Sequence, residues 1–353
     1  PIKSSAASDV YKRQYKKERK IMYHSRFKGE HYQIGFKWGR NLLKHKQLFL
    51  TNVPFEITLE HYDFALQCLP IYQKFFPEII EEIRGIADGQ KCSFKSICAV
   101  LLSMYCIVPE VHCSCFAFRN ENEILFGRNS DFLTKIEKLY TNCIYQFTND
   151  SYAFNGNTTA CVEMEDGINE YGLAIGLTAV YPTVKQLGLN AGMMLRLFLE
   201  KCKTVDEVIQ LLNTLPIASS QTFTLVDTGG DIALIECNSK QIKINRNNQN
   251  AFATNWFFSE AMREYNNHLI DNWQAQKRYQ TIKEAILTDK INDFNDAAAL
   301  LSGRYGYICQ YDRKTGKDTV WSVIYDVKNK RIFRVEGNPS RKSFMEDKRF
   351  KFK

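Results

Sequence analysis

From Phe55 to Gly89 the chain reads FEITLEHYDFALQCLPIYQKFFPEIIEEIRGIADG, with apolar residues recurring three and four positions apart. That period puts them on one face of a helix, and Gly89 is a helix stop. The same reading extends helix through most of residues 29–110. Beyond residue 112 the period changes to short runs rich in aromatic and β-branched residues, CSCFAF, EILFGR and NCIYQFT, bounded by Asn, Glu and Asp. These predict strands. NEYGLAIGLTAVY (169–181) predicts another, with glycines at 172 and 176. A helical block follows at 190–216, where Thr204-Val-Asp-Glu207 predicts a capping box opening its second helix. TFTLVD and IALIEC flank Gly229-Gly230, a hairpin signal, and IKINR and AFATN continue the strands. Helices are expected over 258–303, where QKRYQTIKEAIL is amphipathic. A last pair of strands, TVWSVIYD and RIFRVEG, is joined by VKNK.

Strands, a helix pair, strands, helices and strands again define an α+β layered domain. No repeat or low-complexity linker divides it. The 353 residues are 44% apolar, enough for one large core, yet no window approaches the roughly 18 uninterrupted apolar residues of a membrane helix. The net charge of +8 changes little. It is concentrated in residues 1–28 and 341–353, and the body between them carries 32 basic against 35 acidic residues. A nucleic-acid binder needs a basic stripe on its folded surface, so nucleic acid is not an expected partner. The opening PIKSSAASDVYKRQ has no apolar stretch and is not a secretory signal. Residues 1–21 read as a leader foreign to the fold, with Met22 the expected start and 341–353 a basic tail.

Eleven cysteines is an odd number, scattered through apolar contexts such as Cys98 in KSICAVLL. Secreted disulfide frameworks are dense and even, so these are expected to be reduced, which points to the cytoplasm. No C-x-x-C occurs and the six histidines are dispersed, so no zinc site is expected. No organic cofactor is called for either.

In VHCSCFAFRNENEILFGRNSDF, residues 111–132, two cysteines stand beside a histidine ahead of a strand and GRNSD. A nucleophilic thiol needs a general base and donors for the oxyanion. His112 adjoins Cys113, but neighbours on a strand point to opposite faces. If the bond before Cys113 is cut, the freed α-amine, with an ordinary pKa of about 7.7–8.0, can act as base without any histidine. Against this stands a plain reading in which Cys113 and Cys115 are buried strand residues and GRNSD is a polar turn. Asn255 can likewise be read as a cap before FFSEAM, and Asn169 as ordering the turn before Gly172.

The motifs resemble the cysteine N-terminal-nucleophile hydrolases, specifically the isopenicillin-N-acyltransferase-like and choloylglycine-hydrolase-like group acting on linear amides. The residues that carry the resemblance are Cys113-Ser-Cys-Phe-Ala, Phe126-Gly-Arg128-Asn-Ser-Asp131, Asn169-Glu-Tyr-Gly-Leu and Ala253-Thr-Asn255. GEHYQIGFKWGR, EIRGIADG, LEKCKTVDEVIQLL and VEGNPS support it, so the likeness spans about residues 28–340. It implies an αββα sandwich of two antiparallel sheets between helical layers. Residues 22–112 would form a mainly helical pro-segment of the same fold, and 113–340 the catalytic chain. The resemblance further implies autoproteolysis between His112 and Cys113, with Cys113 as nucleophile and new N-terminus. Arg128 would lie by the thiol, Asp131 would orient the amine and Asn255 would donate to the oxyanion. Arg304, in SGRYGY, would be a second arginine of the network, and Thr178 and Asn169 are substrate or oxyanion candidates. The implied substrate is a small N-acyl amide, with acyl-CoA as one donor; self-association is left open.

Two departures stand out. The third position of the motif is usually small, and here it is Cys115, which leaves open which cysteine reacts. The GLN run of the bile-salt branch is replaced by Gly176-Leu177-Thr178, so bile-salt specificity does not carry over. Two further readings remain: a Cys-His thiol peptidase using His24, His31, His45, His61, His112 or His268, and a non-catalytic acyl-amide binder.

Overall fold

The structure, a computed structural model, describes residues 23–107 and 112–353. The expected leader, with Met22, lies outside the described residues.

An N-terminal strand, β1 (Tyr23–Gly29), leads into four helices: α1 (His31–Lys44), α2 (Leu59–Phe75), α3 (Pro77–Gln90) and α4 (Phe94–Leu101). The period-two region then forms β2 (His112–Arg119), β3 (Ile124–Leu133), β4 (Thr141–Phe147), β5 (Phe154–Thr158), β6 (Asp166–Asn169) and β7 (Ala174–Ala179). Helices α5 (Ala191–Lys201) and α6 (Val205–Leu212) precede β8 (Gln221–Val226), β9 (Ile232–Cys237), β10 (Ile242–Arg246) and β11 (Asn250–Ala253). After α7 (Ala275–Leu287) and α8 (Phe294–Leu301) come β12 (Lys317–Asp326), β13 (Arg331–Glu336) and β14 (Met345–Glu346).

Two sheets result. One has the order β1-β4-β5-β6-β7-β8-β9-β10 and the other β11-β2-β3-β12-β13-β14. The pairs are antiparallel with one exception: β1 runs parallel to β4, so the first sheet is mixed where two antiparallel sheets were expected. Alternation along each strand sorts side chains into three layers. Cys143, Tyr145, Ile175 and Leu177 of the first sheet pack outward against α1–α6. Ile144, Ile168, Ala174 and Val226 face inward onto Cys115, Phe126, Trp321 and Tyr325 of the second sheet. Phe116, Leu125 and Ile324 face outward onto α7 and α8. The layering is helix, sheet, sheet, helix.

Two of the glycine-bearing motifs are explained by helix packing. A Cβ on Gly35 or Gly39 of α1 would lie 2.0 Å from the Glu82 carbonyl oxygen or 2.4 Å from that of Ile86 in α3; Gly85 and Gly89 face α1 in the same way. The two helices meet backbone to backbone, which only glycine allows. This N-terminal layer is tied to the rest by buried charge. Arg196 of α5 pairs with Glu82 of α3 at 2.8 Å and with Glu200, Tyr145 donates to Glu82 at 2.9 Å, and His31 bonds Glu200 at 2.9 Å.

The capping box at α6 is half made. Thr204 Oγ1 accepts from the Glu207 amide, while the Glu207 carboxylate takes the amide of Lys203. The basic tail expected at 341–353 packs onto the body: β14 pairs with β13, Phe350 is buried between the sheets, and the Lys353 amide donates to the Glu170 carbonyl.

Candidate active site

The β2–β3 register places Cys113 opposite Ser130, Cys115 opposite Arg128 and His112 opposite Asp131. Cross-strand partners share a face. Cys113, Cys115, Arg128 and Ser130 therefore point between the sheets, and His112, Ser114, Asn129 and Asp131 toward the outer helices. Arg128 has room between the sheets because the facing residue is Gly176, where a Cβ would stand 3.0 Å from Arg128 Cδ and 3.1 Å from Cys115 Sγ.

Arg128 Nη2 donates to Cys113 Sγ at 2.7 Å. Its Nη1 donates to Asp166 Oδ2 at 2.9 Å and to Ser130, its Nε donates to the Leu177 carbonyl, and Glu165 Oε2 lies 3.6 Å from Nη2. Asp166 is held in turn by Trp321, Tyr325 and Asn157. Burial pushes the Cys113 thiol well above its ordinary value, and Arg128 pulls the other way. Cys115 is raised to about 12 by burial, and its sulfur lies 3.9 Å from the Leu177 carbonyl. Arg128 acts against burial at both thiols, and its 2.7 Å contact is with Cys113. Burial also raises Glu165 to about 7, against the pull of Arg128.

The backbone of Cys113 is held separately from its thiol. Its amide donates to Asn255 Oδ1 at 2.8 Å and its carbonyl accepts from Arg278 Nη1 at 2.6 Å. Arg278, from α7, also donates to Ser114 Oγ and Asn255 Oδ1, both at 2.9 Å, and lies 3.6 Å from Asp131. Asn255 turns its Nδ2 to the Ala179 carbonyl at 2.8 Å. Asp131 makes no hydrogen bond to Cys113 in the uncleaved chain; it accepts from Thr319 at 2.6 Å and Tyr311 at 3.1 Å. An irregularity in the β3–β12 pairing between Thr319 and Trp321 brings Thr319 opposite Asp131, as bulges do when they re-aim a side chain. Burial pushes Asp131 up to about 6, with Arg278 acting against it.

The structure thus brings together Cys113, Arg128, Asp131 and Asn255. It does not bring Arg304, which is exposed in the turn after α8. The second arginine of the network is Arg278, because α7 packs on β2 and β11, whereas the Arg304 side chain is exposed. Thr178 is spent within the sheets, bonding Thr222 and the Thr254 carbonyl, and so fixes the residue before Asn255. Asn169 orders the turn before Gly172: it accepts from Tyr171 and Leu173 and donates to the carbonyls of Leu199 and Cys202. The His112 ring stacks on Trp273, centroids 4.3 Å apart, and its Nδ1 has no hydrogen-bond partner. Among the described residues no histidine bonds Cys113, and no group of three His, Cys, Asp or Glu side chains could hold a metal. No described helix is long and apolar enough to cross a membrane.

Arg278, Asp166, Glu165, Thr319 and Tyr311 escaped the reading of the sequence. The one signal for any of them is VEMEDG, residues 162–167, where three acids within four positions run into β6 and are all buried.

A sandwich of this layering, with a cysteine at the head of a central strand and an arginine on its thiol, has the architecture of the N-terminal-nucleophile hydrolases. The chain belongs to the acyl-coenzyme A:6-aminopenicillanic acid acyl-transferase family, whose profile matches residues 118–341. That range holds Arg128, Asp131, Asn255 and Arg278 and begins five residues after Cys113. Three solved structures are similar. Penicillin V acylase from Agrobacterium tumefaciens is 17% identical, covering 68% of this chain and 99% of its own, with a TM-score of 0.43. A mutant of conjugated bile acid hydrolase from Clostridium perfringens is 14% identical over 68% and 98%, TM-score 0.45. An N-acylethanolamine-hydrolyzing acid amidase ortholog from Caenorhabditis elegans is 15% identical over 61% and 93%, TM-score 0.45. At these levels nothing about residues or substrates is carried over. No curated protein matches the chain.

Proposed function

We propose that the chain is a self-processing amidohydrolase or acyltransferase whose nucleophile is Cys113. The observation that carries this reading is the separate fixing of the two reactive atoms of one residue: Sγ by Arg128 at 2.7 Å, and N by Asn255 at 2.8 Å. In processing, Sγ attacks the His112 carbonyl carbon. The C–S bond forms, the C–N bond breaks and the Cys113 nitrogen takes up the thiol proton. Water then hydrolyses the thioester, leaving a carboxylate on His112 and a free α-amine on Cys113.

In turnover the α-amine takes the thiol proton and Sγ adds to an amide carbonyl. The ammonium returns the proton to the departing amine, and the thioester passes its acyl group to water or to another amine. Asp131 orients the α-ammonium, and Asn255 anchors its nitrogen through Oδ1; its Nδ2, which gives one N–H to the Ala179 carbonyl, has a second N–H for the oxyanion. Arg128 stabilises the thiolate. A mainly apolar pocket of about 130 Å3, open to solvent, is bounded by Phe55, Met104, Leu133, Ile136 and Leu139. Tyr105, another wall, is buried within electrostatic reach of Cys113 and Arg128. This is the acyl side, built jointly by the N-terminal helical segment and the loop after β3. A histidine-dependent peptidase finds no support here, since the nearest imidazole, His112, is on the other face of β2.

The test is the denatured mass of freshly purified protein beside Cys113→Ala and Cys115→Ala variants. The expected fragments are about 13 and 28 kDa, the shares of residues 1–112 and 113–353 in a 41.0 kDa chain. Cys113→Ala alone should stay whole. An intact wild-type chain that nonetheless cleaves amides would overturn the α-amine as base.

A further inference from the structure

Trp273 is held in an uncommon way. Its backbone is left-handed, φ +52°, a conformation a bulky residue adopts only when its surroundings impose it. Its amide donates to Asp271 at 2.9 Å and its carbonyl accepts from Arg278 Nε at 3.0 Å. Lys317 Nζ lies 4.7 Å from the ring centroid, and Tyr311 meets the ring edge-on at 5.4 Å. The remaining face is covered by the His112 imidazole, nearly parallel at 15°. A side chain that the proposed cleavage detaches from Cys113 therefore covers a rigid, pre-set aromatic surface.

The chemistry of turnover says what should replace it. The departing amine must sit within about 2.6–3.2 Å of the Cys113 nitrogen that protonates it. That nitrogen is fixed by Asn255, which together with His112 lines a narrow cleft whose other walls include Tyr181, Trp256 and Ile270 as well as Asn267, Asp271 and Asn272. Sγ, by contrast, points between the sheets, where Arg128 meets it. The acyl and amine halves of a substrate are thus assigned to opposite faces of β2, the amine to the face that carries His112 and Trp273.

We infer that the face of Trp273 covered by His112 binds the amine half of the substrate, and that it selects amines carrying a planar ring a few bonds from nitrogen, as in an arylalkylamine. In the uncleaved chain a planar ring already lies there: the His112 imidazole, separated from the Cys113 nitrogen by three atoms, stacks on Trp273 with centroids 4.3 Å apart. Apolar side chains also reach the cleft, Tyr181, Trp256 and Ile270 among them, but the surface on which a ring already lies is that of Trp273, beneath His112. This rests on the functional reading above and extends it to the amine.

The experiment uses processed wild-type protein, its cleavage verified by mass, and two amides of one acid: octanoyl phenethylamide and octanoyl ethanolamide. Stacking on an indole predicts a kcat/KM ratio of about tenfold or more for the phenethylamide. Trp273→Leu should bring the ratio to about one, and Trp273→Phe, which keeps a ring, should retain most of it. A wild-type ratio of about one, or a preference that survives in processed Trp273→Leu, overturns the inference while leaving the amidase reading intact. Failure to cleave either amide counts against the amidase reading. The slot is then judged by titrating phenethylamine into the processed wild-type and Trp273→Leu proteins. Binding that the leucine removes supports it, and no binding overturns it.

Discussion

Arg128 reaches along its own face from opposite Cys115 to place Nη2 2.7 Å from the sulfur of Cys113, the cysteine two residues further from it on β2. The diagonal contact is possible because the guanidinium is braced at its other nitrogens by the Leu177 carbonyl and Asp166. A planar fork meets three partners at once here, and a lysine ammonium on its flexible stem would not.

Arg128→Lys should therefore keep a cation near Asp166 but lose the aimed donor to sulfur. We expect acylation, followed by burst kinetics with a chromogenic amide, to fall by about 10²–10³-fold, the scale of losing one pre-set electrostatic contact. Rates within a few fold of wild type would show that Arg128 braces the sheets and does not act on the thiol.

Arg278 and Arg304 make opposite predictions. Arg278 is fully buried and serves the Cys113 carbonyl, Ser114, Asn255 and Asp131. Arg278→Ala leaves the Asp131 carboxyl buried without its cation and should cost about 3–5 kcal/mol in urea unfolding. It should also abolish processing. Arg304→Ala, at an exposed turn, should stay within about 0.5 kcal/mol of wild type and process normally. Equal effects of the two changes would contradict the network around Cys113.

What could be read from the chain and what could not follow from the range of the interactions. The β2–β3 hairpin was legible because its alternation is local, and GRNSD lies within its second strand. Thr204 was legible as a cap for the same reason. β5, FNGNT, went unassigned because its Gly and Asn content gives no strand signal; it becomes a strand because β4 and β6 flank it. β1 was missed because YHSRFKG is polar, and its place depends on pairing with β4 more than a hundred residues away. Arg278 sits in an amphipathic helix that any surface helix would resemble, 165 residues from the carbonyl it serves. Arg304 was implied by the resemblance through SGRYGY, but that segment forms a turn: Gly303 and Gly306 have φ of +83° and +149°.

The close approach of α1 and α3 makes a structural prediction independent of catalysis. Gly39→Ala would set a methyl 2.4 Å from the Ile86 carbonyl oxygen, a backbone atom that cannot swing aside. The helices must separate, at a cost of about 1–3 kcal/mol or more, seen as a lower urea midpoint. Gly316→Ala has open space around it, so it tests backbone conformation alone: at φ +80° the strain should be about 1 kcal/mol. If Gly39→Ala is the milder of the two, α1 does not meet α3 backbone to backbone.

Asp131 links the site to pH. Burial holds its folded pKa at about 6 against 3.8 for the free side chain. Between these values the folded chain keeps a proton that the unfolded chain has released. The contribution is fully present below about pH 4 and is lost as pH rises through about 6. At about 1.4 kcal/mol for each pH unit separating the folded and unfolded values, it amounts to about 3 kcal/mol at most. Glu165, raised to about 7, acts with the same sign up to about pH 7. His112, pushed well below its ordinary value by burial and then by Arg278, acts with the opposite sign, because the unfolded chain binds its proton first as pH falls. The Asp131 contribution is therefore isolated by difference. Urea unfolding of the uncleaved Cys113→Ala protein and of its Asp131→Asn derivative should be compared at pH 4.5 and 7.5. The derivative should lose less stability than its parent on going to the higher pH, by an amount on the order of the Asp131 contribution. If the two fall in parallel, Asp131 titrates in the folded chain near its ordinary value, and the carboxylate meets the new α-amine already ionised across the acid range.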